Sequence, residues 1–225
     1  MKNSFLLAMT LLFSTSLWAG PRVTGNGGDV IRCFDSEKLF SLDYILTVGL
    51  LGKDIAPVKV NNLNLSLARI SNLIKNKLPE LSPSFEKFIY DYKNQQDFSK
   101  KYIWIQTKEG LDEISDENFV QDPVPTTCRR YLNGTVAISQ AVVRTELKNG
   151  KVYFEYDASL LNRLSKLQLS FVLVHEWLWD LSSSASNNRK INFFLHSNLI
   201  DQVSASEASA QLAQFGFILP RRILP

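Results

Sequence analysis

Histidine, cysteine and methionine are scarce in this chain, with two of each among 225 residues. A framework of many disulfides is thereby excluded, and Cys33 and Cys128 are the one pair a bridge can use. Charge of one sign is lacking as well. Twenty-five Lys and Arg against 22 Asp and Glu leave +3, so no global field points to nucleic acid. Ten Gly and eight Pro exclude a collagenous or low-complexity chain, and no internal repeat is visible. Past the start, no apolar run reaches the roughly 20 residues of a membrane span. The strongest, Leu167 to Leu181, is interrupted by His175, Glu176 and Asp180 and reads as a core helix. A hydrophobic content of 45% with 21% charged residues is that of a folded protein and excludes disorder as the dominant state.

The start has a different character. Met1-Lys2-Asn3 is short and basic, Ser4 to Phe13 is mostly apolar, and Ala19 follows a polar stretch. This is the layout of a secretory signal peptide cleaved after Ala19. The mature chain is then expected to run from Gly20 to Pro225 as a single α+β domain, periplasmic or secreted, with no membrane span after cleavage. No Cys lies at the cut, which argues against a lipid anchor. In an oxidising compartment Cys33 and Cys128 are expected to pair, closing a loop of about 95 residues and stabilising the fold by about 2–5 kcal/mol.

Gly25-Asn26-Gly27-Gly28 reads as a turn before a strand at Asp29 to Phe34. Ser36 then caps an expected helix through Leu39, Leu42, Ile45 and Leu50 to Gly52. Leu67, Ile70, Leu73, Ile74 and Leu78 predict a second helix that Pro79 stops. Ser84 to Tyr90 starts a third, and Lys101 to Thr107 is a strand by its β-branched and aromatic content. Asn149-Gly150 is the best hairpin signal, with Val152, Phe154 and Tyr156 answering on one face of the returning strand. Beyond Asp157 the pattern is helical: Asp157 and Ser165 are caps, Asn187 to Leu199 is a helix, and Ser204 with Glu207 is a capping box. The fold class is therefore α+β, a small antiparallel sheet with a hairpin packed against several helices.

The helix carrying Leu173-Val174-His175-Glu176-Trp177-Leu178-Trp179-Asp180 is apolar almost all round and is expected to be buried. A buried His-Glu-Asp set is costly unless it is hydrogen-bonded, paired or coordinated. His196 and Arg189 on the following helix are the nearest candidates in sequence to answer it.

His175-Glu176 resembles the metal-binding helix of zincin metalloproteases, in which His-Glu-x-x-His presents two imidazoles on one face and Glu as general base. Here Trp179 stands where the second His belongs. The resemblance implies zinc held by His175, with His196 and Asp180 as replacement ligands and Glu176 as the catalytic base. More broadly, the Gly-Asn-Gly-Gly-Asp-Val start, a Cys, a hairpin and a hydrophobic His-Glu helix resemble a group of uncharacterised exported proteins of predatory bacteria. That resemblance runs from about Gly25 to about His196 and implies no established activity.

Other motifs fall to simpler readings. Gly25-x-Gly27-x-x-Val30 lacks the third Gly of a dinucleotide fingerprint, and Asp54 stands where a phosphate loop needs Ser or Thr. The carboxylates Asp112, Glu113, Asp116 and Glu117 lack calcium-loop spacing. The sequence thus favours a non-catalytic exported protein without cofactor, binding an unidentified macromolecule of the envelope or outside the cell and not nucleic acid. A zinc-dependent hydrolase is the second reading. The disulfide is directly testable: titration of denatured, unreduced exported protein is expected to find no free thiol, and two reactive thiols would reject the pairing.

Overall fold

The computed structural model describes residues 22–32, 38–50, 59–95, 97–107, 111, 138–182 and 184–217. The expected signal segment, Ser36, Cys33 and Cys128 with their expected bridge, and the acidic cluster Asp112 to Glu117 lie outside those residues.

Five strands make one sheet: β1 (Arg22–Arg32), β2 (Leu39–Ser41), β3 (Tyr102–Gln106), β4 (Ile138–Glu146) and β5 (Val152–Tyr156). Their spatial order is β2-β1-β4-β5-β3. Helices α1 (Leu42–Leu50), α2 (Leu63–Lys77), α3 (Ser82–Lys93), α4 (Ala158–Leu161), α5 (Lys166–Leu178), α6 (Ala185–His196), α7 (Leu199–Gln202) and α8 (Ala205–Gln214) complete the described fold. The class is α+β, as the residue pattern predicts. The sheet is antiparallel except at one edge, where β3 runs parallel to β5 with Tyr102 opposite Val152.

Local chemistry accounts for most boundaries. Asn62 accepts from the Leu65 backbone N–H to open α2, and Pro79 begins the 3-10 turn that follows it. Asp157, Ser165 and Ser184 cap α4, α5 and α6 in the same way. Ser204 and Glu207 form the reciprocal capping box at α8. The β4–β5 hairpin turns at Asn149-Gly150, with Gly150 at φ +79° and Asn149 Oδ1 accepting from the Lys151 N–H.

Two expectations change near the start. Gly25 to Gly28 is strand rather than turn: β1 pairs with β4 along this stretch, with a register shift between Val23 and Asn26 that takes in Gly25 and with Gly27 back in register opposite Val142. Leu39 to Ser41 forms β2 instead of the first turn of a helix, because Val30, Ile31 and Arg32 offer it a ladder. Tertiary pairing overrides local propensity at both places.

The main core lies between the sheet and α5, with α2, α3, α6 and α8 around it. Phe88 of α3 meets Tyr102, Trp104 and Phe154 edge-on, and Trp104 stacks on Phe154 at 4.4 Å. A satellite cluster of Ile31, Leu42 and Leu46 joins α1 to the strands. Among the described residues no helix is long and apolar enough to cross a membrane.

β1 and α5 approach closely. A Cβ on Gly28, at φ +46°, would stand 2.8 Å from Val172 Cγ1 and 3.0 Å from Val142 Cγ2. A Cβ on Gly150 would meet nothing within 4 Å. Gly150→Ala is therefore expected to cost only left-handed backbone strain, about 1–2 kcal/mol. Gly28→Ala adds overpacking of about 1–3 kcal/mol to that strain. Urea denaturation of both variants checks this, and equal midpoints would contradict the close approach of β1 and α5.

Candidate functional site

Leu167 to Leu178 of α5 are all buried, polar residues included. The sequence sets this up: Ser165 accepts from the Gln168 N–H, and the apolar residues that follow leave no solvent face. Every polar group on the helix therefore needs a partner inside the protein.

His175 finds its partner on α1. Its Nδ1 lies 2.7 Å from Asp43 Oδ2, across 132 residues of sequence. The same oxygen accepts from Asn192 Nδ2 of α6 at 2.6 Å, and that amide also donates to the Phe171 carbonyl at 2.8 Å. Arg189, also on α6, sits 3.6 Å from Asp43 Oδ1 and 3.5 Å from Asp29 Oδ2 of β1. Burial works to raise the Asp43 pKa, but His175, Arg189 and Asn192 outweigh it and hold the carboxyl below its usual range. Burial likewise works to lower the His175 pKa, and the Asp43 charge reverses the sign, leaving it raised. The Gly-Asn-Gly-Gly-Asp start and the His-Glu helix thus meet in one buried network through Asp29, Arg189 and Asp43.

Glu176 differs. It is wholly buried, and neither carboxyl oxygen has a hydrogen-bond partner. Of the His-Glu pair, only His175 is held by a hydrogen bond. Burial pushes the Glu176 pKa up to about 8, Asp29 and Asp43 add to the rise, and His175 and Arg144 oppose it. The group is a neutral acid at pH 7. His175 Nε2 is also buried without a partner.

His196 belongs to another part of the network. Its Nδ1 lies 3.0 Å from the Asn192 carbonyl and its Nε2 3.0 Å from Ser170 Oγ, which in turn lies 2.7 Å from Ser66 Oγ of α2. The ring stacks on Phe171 at 3.7 Å. Burial drives its pKa down to about 3, so the imidazole is neutral and both nitrogens are occupied. Asp180, just past α5, takes Lys101 Nζ and Arg144 Nη2 at 2.7 Å each, with the Tyr102 hydroxyl donating to the same carboxylate. Burial would raise its pKa, but Lys101, Tyr102 and Arg144 together lower it.

His175, His196 and Asp180 are thus bonded to different partners. Asn192 links the two histidines, its side chain bonding the Asp43 oxygen that holds His175 and its carbonyl facing His196. Among the described residues no group of three or more His, Cys, Asp or Glu is placed to hold a metal ion. Trp179 stands edge-on to His175 with ring centroids 5.9 Å apart, one turn along, where a zincin carries its second imidazole. Of the partners expected from sequence, Arg189 does reach the network. Asp43, Asn192 and Ser170 are the members that sequence reasoning missed. Their signal is a polar residue set among apolar helical neighbours: Asp43 beside Leu42 and Leu46, and Asn192 between Ile191 and Phe193.

No protein-family model, curated protein or solved structure matches the chain, so the site is read from its own geometry.

Glu176 fixes the sign of a pH effect. A folded-state pKa near 8 against an ordinary 4.5 means stability is fully present below pH 4.5 and is lost as pH rises toward 8. The lowered His196 pKa acts oppositely but only below about 6.5. Between pH 6.5 and 8, Glu176→Gln is expected to lose less stability than the parent, by on the order of 1–2 kcal/mol across the window. Thermal or urea unfolding across that range measures it, and parallel profiles would refute the buried neutral acid.

Proposed function

We propose that the chain is an exported globular protein, periplasmic or secreted, whose role is non-catalytic binding of a macromolecule of the envelope or outside the cell. The observation that carries this reading is the engagement of the three candidate metal ligands. Both nitrogens of His196, the carboxylate of Asp180 and Nδ1 of His175 are held in buried contacts that join helices to helices and helices to the sheet. Such a network specifies packing, and breaking it leaves buried charge without a partner. The resemblance to exported proteins of predatory bacteria belongs to this reading.

A zinc-dependent hydrolase is the second reading, and one observation favours it. Asp43 orients the His175 ring and leaves Nε2 unpaired, as a carboxylate bonded to the far nitrogen of a metal-bound imidazole does. The adjacent Glu176 is a carboxyl with a raised pKa, as a general acid or base requires.

Asp43→Ala separates the two. In the structural reading it strands His175 Nδ1, takes one of their partners from Arg189 and Asn192, and lowers stability by about 3–5 kcal/mol, while parent and variant alike purify without stoichiometric zinc. One zinc per chain in the parent, together with hydrolysis that a chelator abolishes, would establish the enzyme instead.

A further inference from the structure

The C-terminal end of α3 and the turn leading into β3 enclose an open cleft of about 750 Å³, lined by Tyr90, Tyr92, Asn94, Gln95, Asp97 and Lys100. We propose that this cleft is a glycan-binding site. The proposal rests on the binding reading above and supplies its ligand class.

The frame of the cleft is fixed by its own bonds. Asn94 Nδ2 donates to the Tyr90 carbonyl at 2.8 Å, and Asp97 Oδ1 accepts from the Ser99 N–H at 2.9 Å. Lys100 Nζ lies 3.6 Å from Asp97 Oδ2 and 4.5 Å above the Tyr90 ring, and its side chain is only 9% exposed. Tyr92 is anchored edge-on against Trp104 at 5.0 Å, and the Tyr156 hydroxyl donates to Gln95 Oε1 at 2.9 Å. These contacts leave Asn94 Oδ1 as an acceptor and Gln95 Nε2 as a donor for a ligand. They also leave Tyr90 61% exposed, with Lys100 over one face of its ring and the other face open.

That combination selects the ligand. A sugar ring has a flat C–H face bordered by hydroxyls, each both donor and acceptor. The face of the Tyr90 ring opposite Lys100 matches the C–H face, and the two side-chain amides match the border. Asp97 offsets Lys100, leaving Lys93 as the remaining cation of the lining. A nucleic-acid backbone calls for several uncompensated cations, and the cleft does not offer them.

The full mature protein would be incubated with insoluble peptidoglycan sacculi and, separately, with soluble cellohexaose, measuring co-sedimentation and calorimetric binding. Retention in either arm, falling at least tenfold in Tyr90→Ala but kept in Tyr90→Phe, with unfolding midpoints unchanged, is the expected result. The arm that binds identifies an envelope polymer or a free polysaccharide as the source. Absence of binding in both arms, binding indifferent to Tyr90→Ala, or preferential binding of single-stranded RNA overturns the assignment. Metal-free protein that ignores both glycans overturns the cleft alone. Stoichiometric zinc in protein that retains glycan through Tyr90 supports the cleft and counts only against the non-catalytic reading.

Discussion

The Asp43 carboxylate is the point at which three helices are joined. It sits in the first turn of α1 and takes His175 from α5 and both Asn192 and Arg189 from α6. One buried carboxylate thus neutralises and orders groups from two elements far along the chain. It also bridges the two apolar clusters, since Leu42 and Leu46 beside it pack with Ile31 while α5 and α6 belong to the main core. Apolar contacts alone would leave the rotation and register of α1 against α5 weakly specified. A directional, charged hydrogen bond in a low-dielectric interior fixes them.

The cost of that arrangement falls on α5. A helix buried on every side must satisfy each polar group internally, and most are satisfied. Gln168 accepts from the Ser41 N–H and so holds β2, Ser170 joins Ser66 to His196, and His175 has Asp43. Glu176 has no such partner and is accommodated by keeping its proton. Just beyond the helix, Asp180 makes the opposite choice, remaining charged because Lys101, Tyr102 and Arg144 surround it. Two carboxyl groups four residues apart thus end in opposite protonation states, by differences in partners and not in sequence neighbourhood.

Features decided by a few consecutive residues were legible in the sequence. The caps at Asp157 and Ser165, the Ser204–Glu207 box, the Asn149-Gly150 turn and the stop at Pro79 all rest on local hydrogen bonds or fixed φ, and all are present. Features decided by distant pairing were not. β2 reads as helix because its three residues carry no signal of their β1 partner, and β3 does not announce that it lies parallel to β5. At the site, burial of the His-Glu helix followed from its apolar periodicity, whereas its main counter-charge came from Asp43, invisible to spacing because 132 residues intervene.

The same separation governs the order of assembly. The β4–β5 hairpin closes through a turn of a few residues and is available early. Pairing β1 with β4 and seating α1 on α5 each require closing well over 100 residues. The loop-closure cost grows only logarithmically with length, but contacts of such high sequence separation slow the approach to the native state. The Asp43–His175 bond is a side-chain contact that needs α1 already seated on α5, and for that reason it is expected to form after the rate-limiting step. Interactions absent from the transition state do little for the speed of folding and act on the rate of escape from the folded state. Asp43 is in this sense a latch, and its contribution is to the lifetime of the native protein.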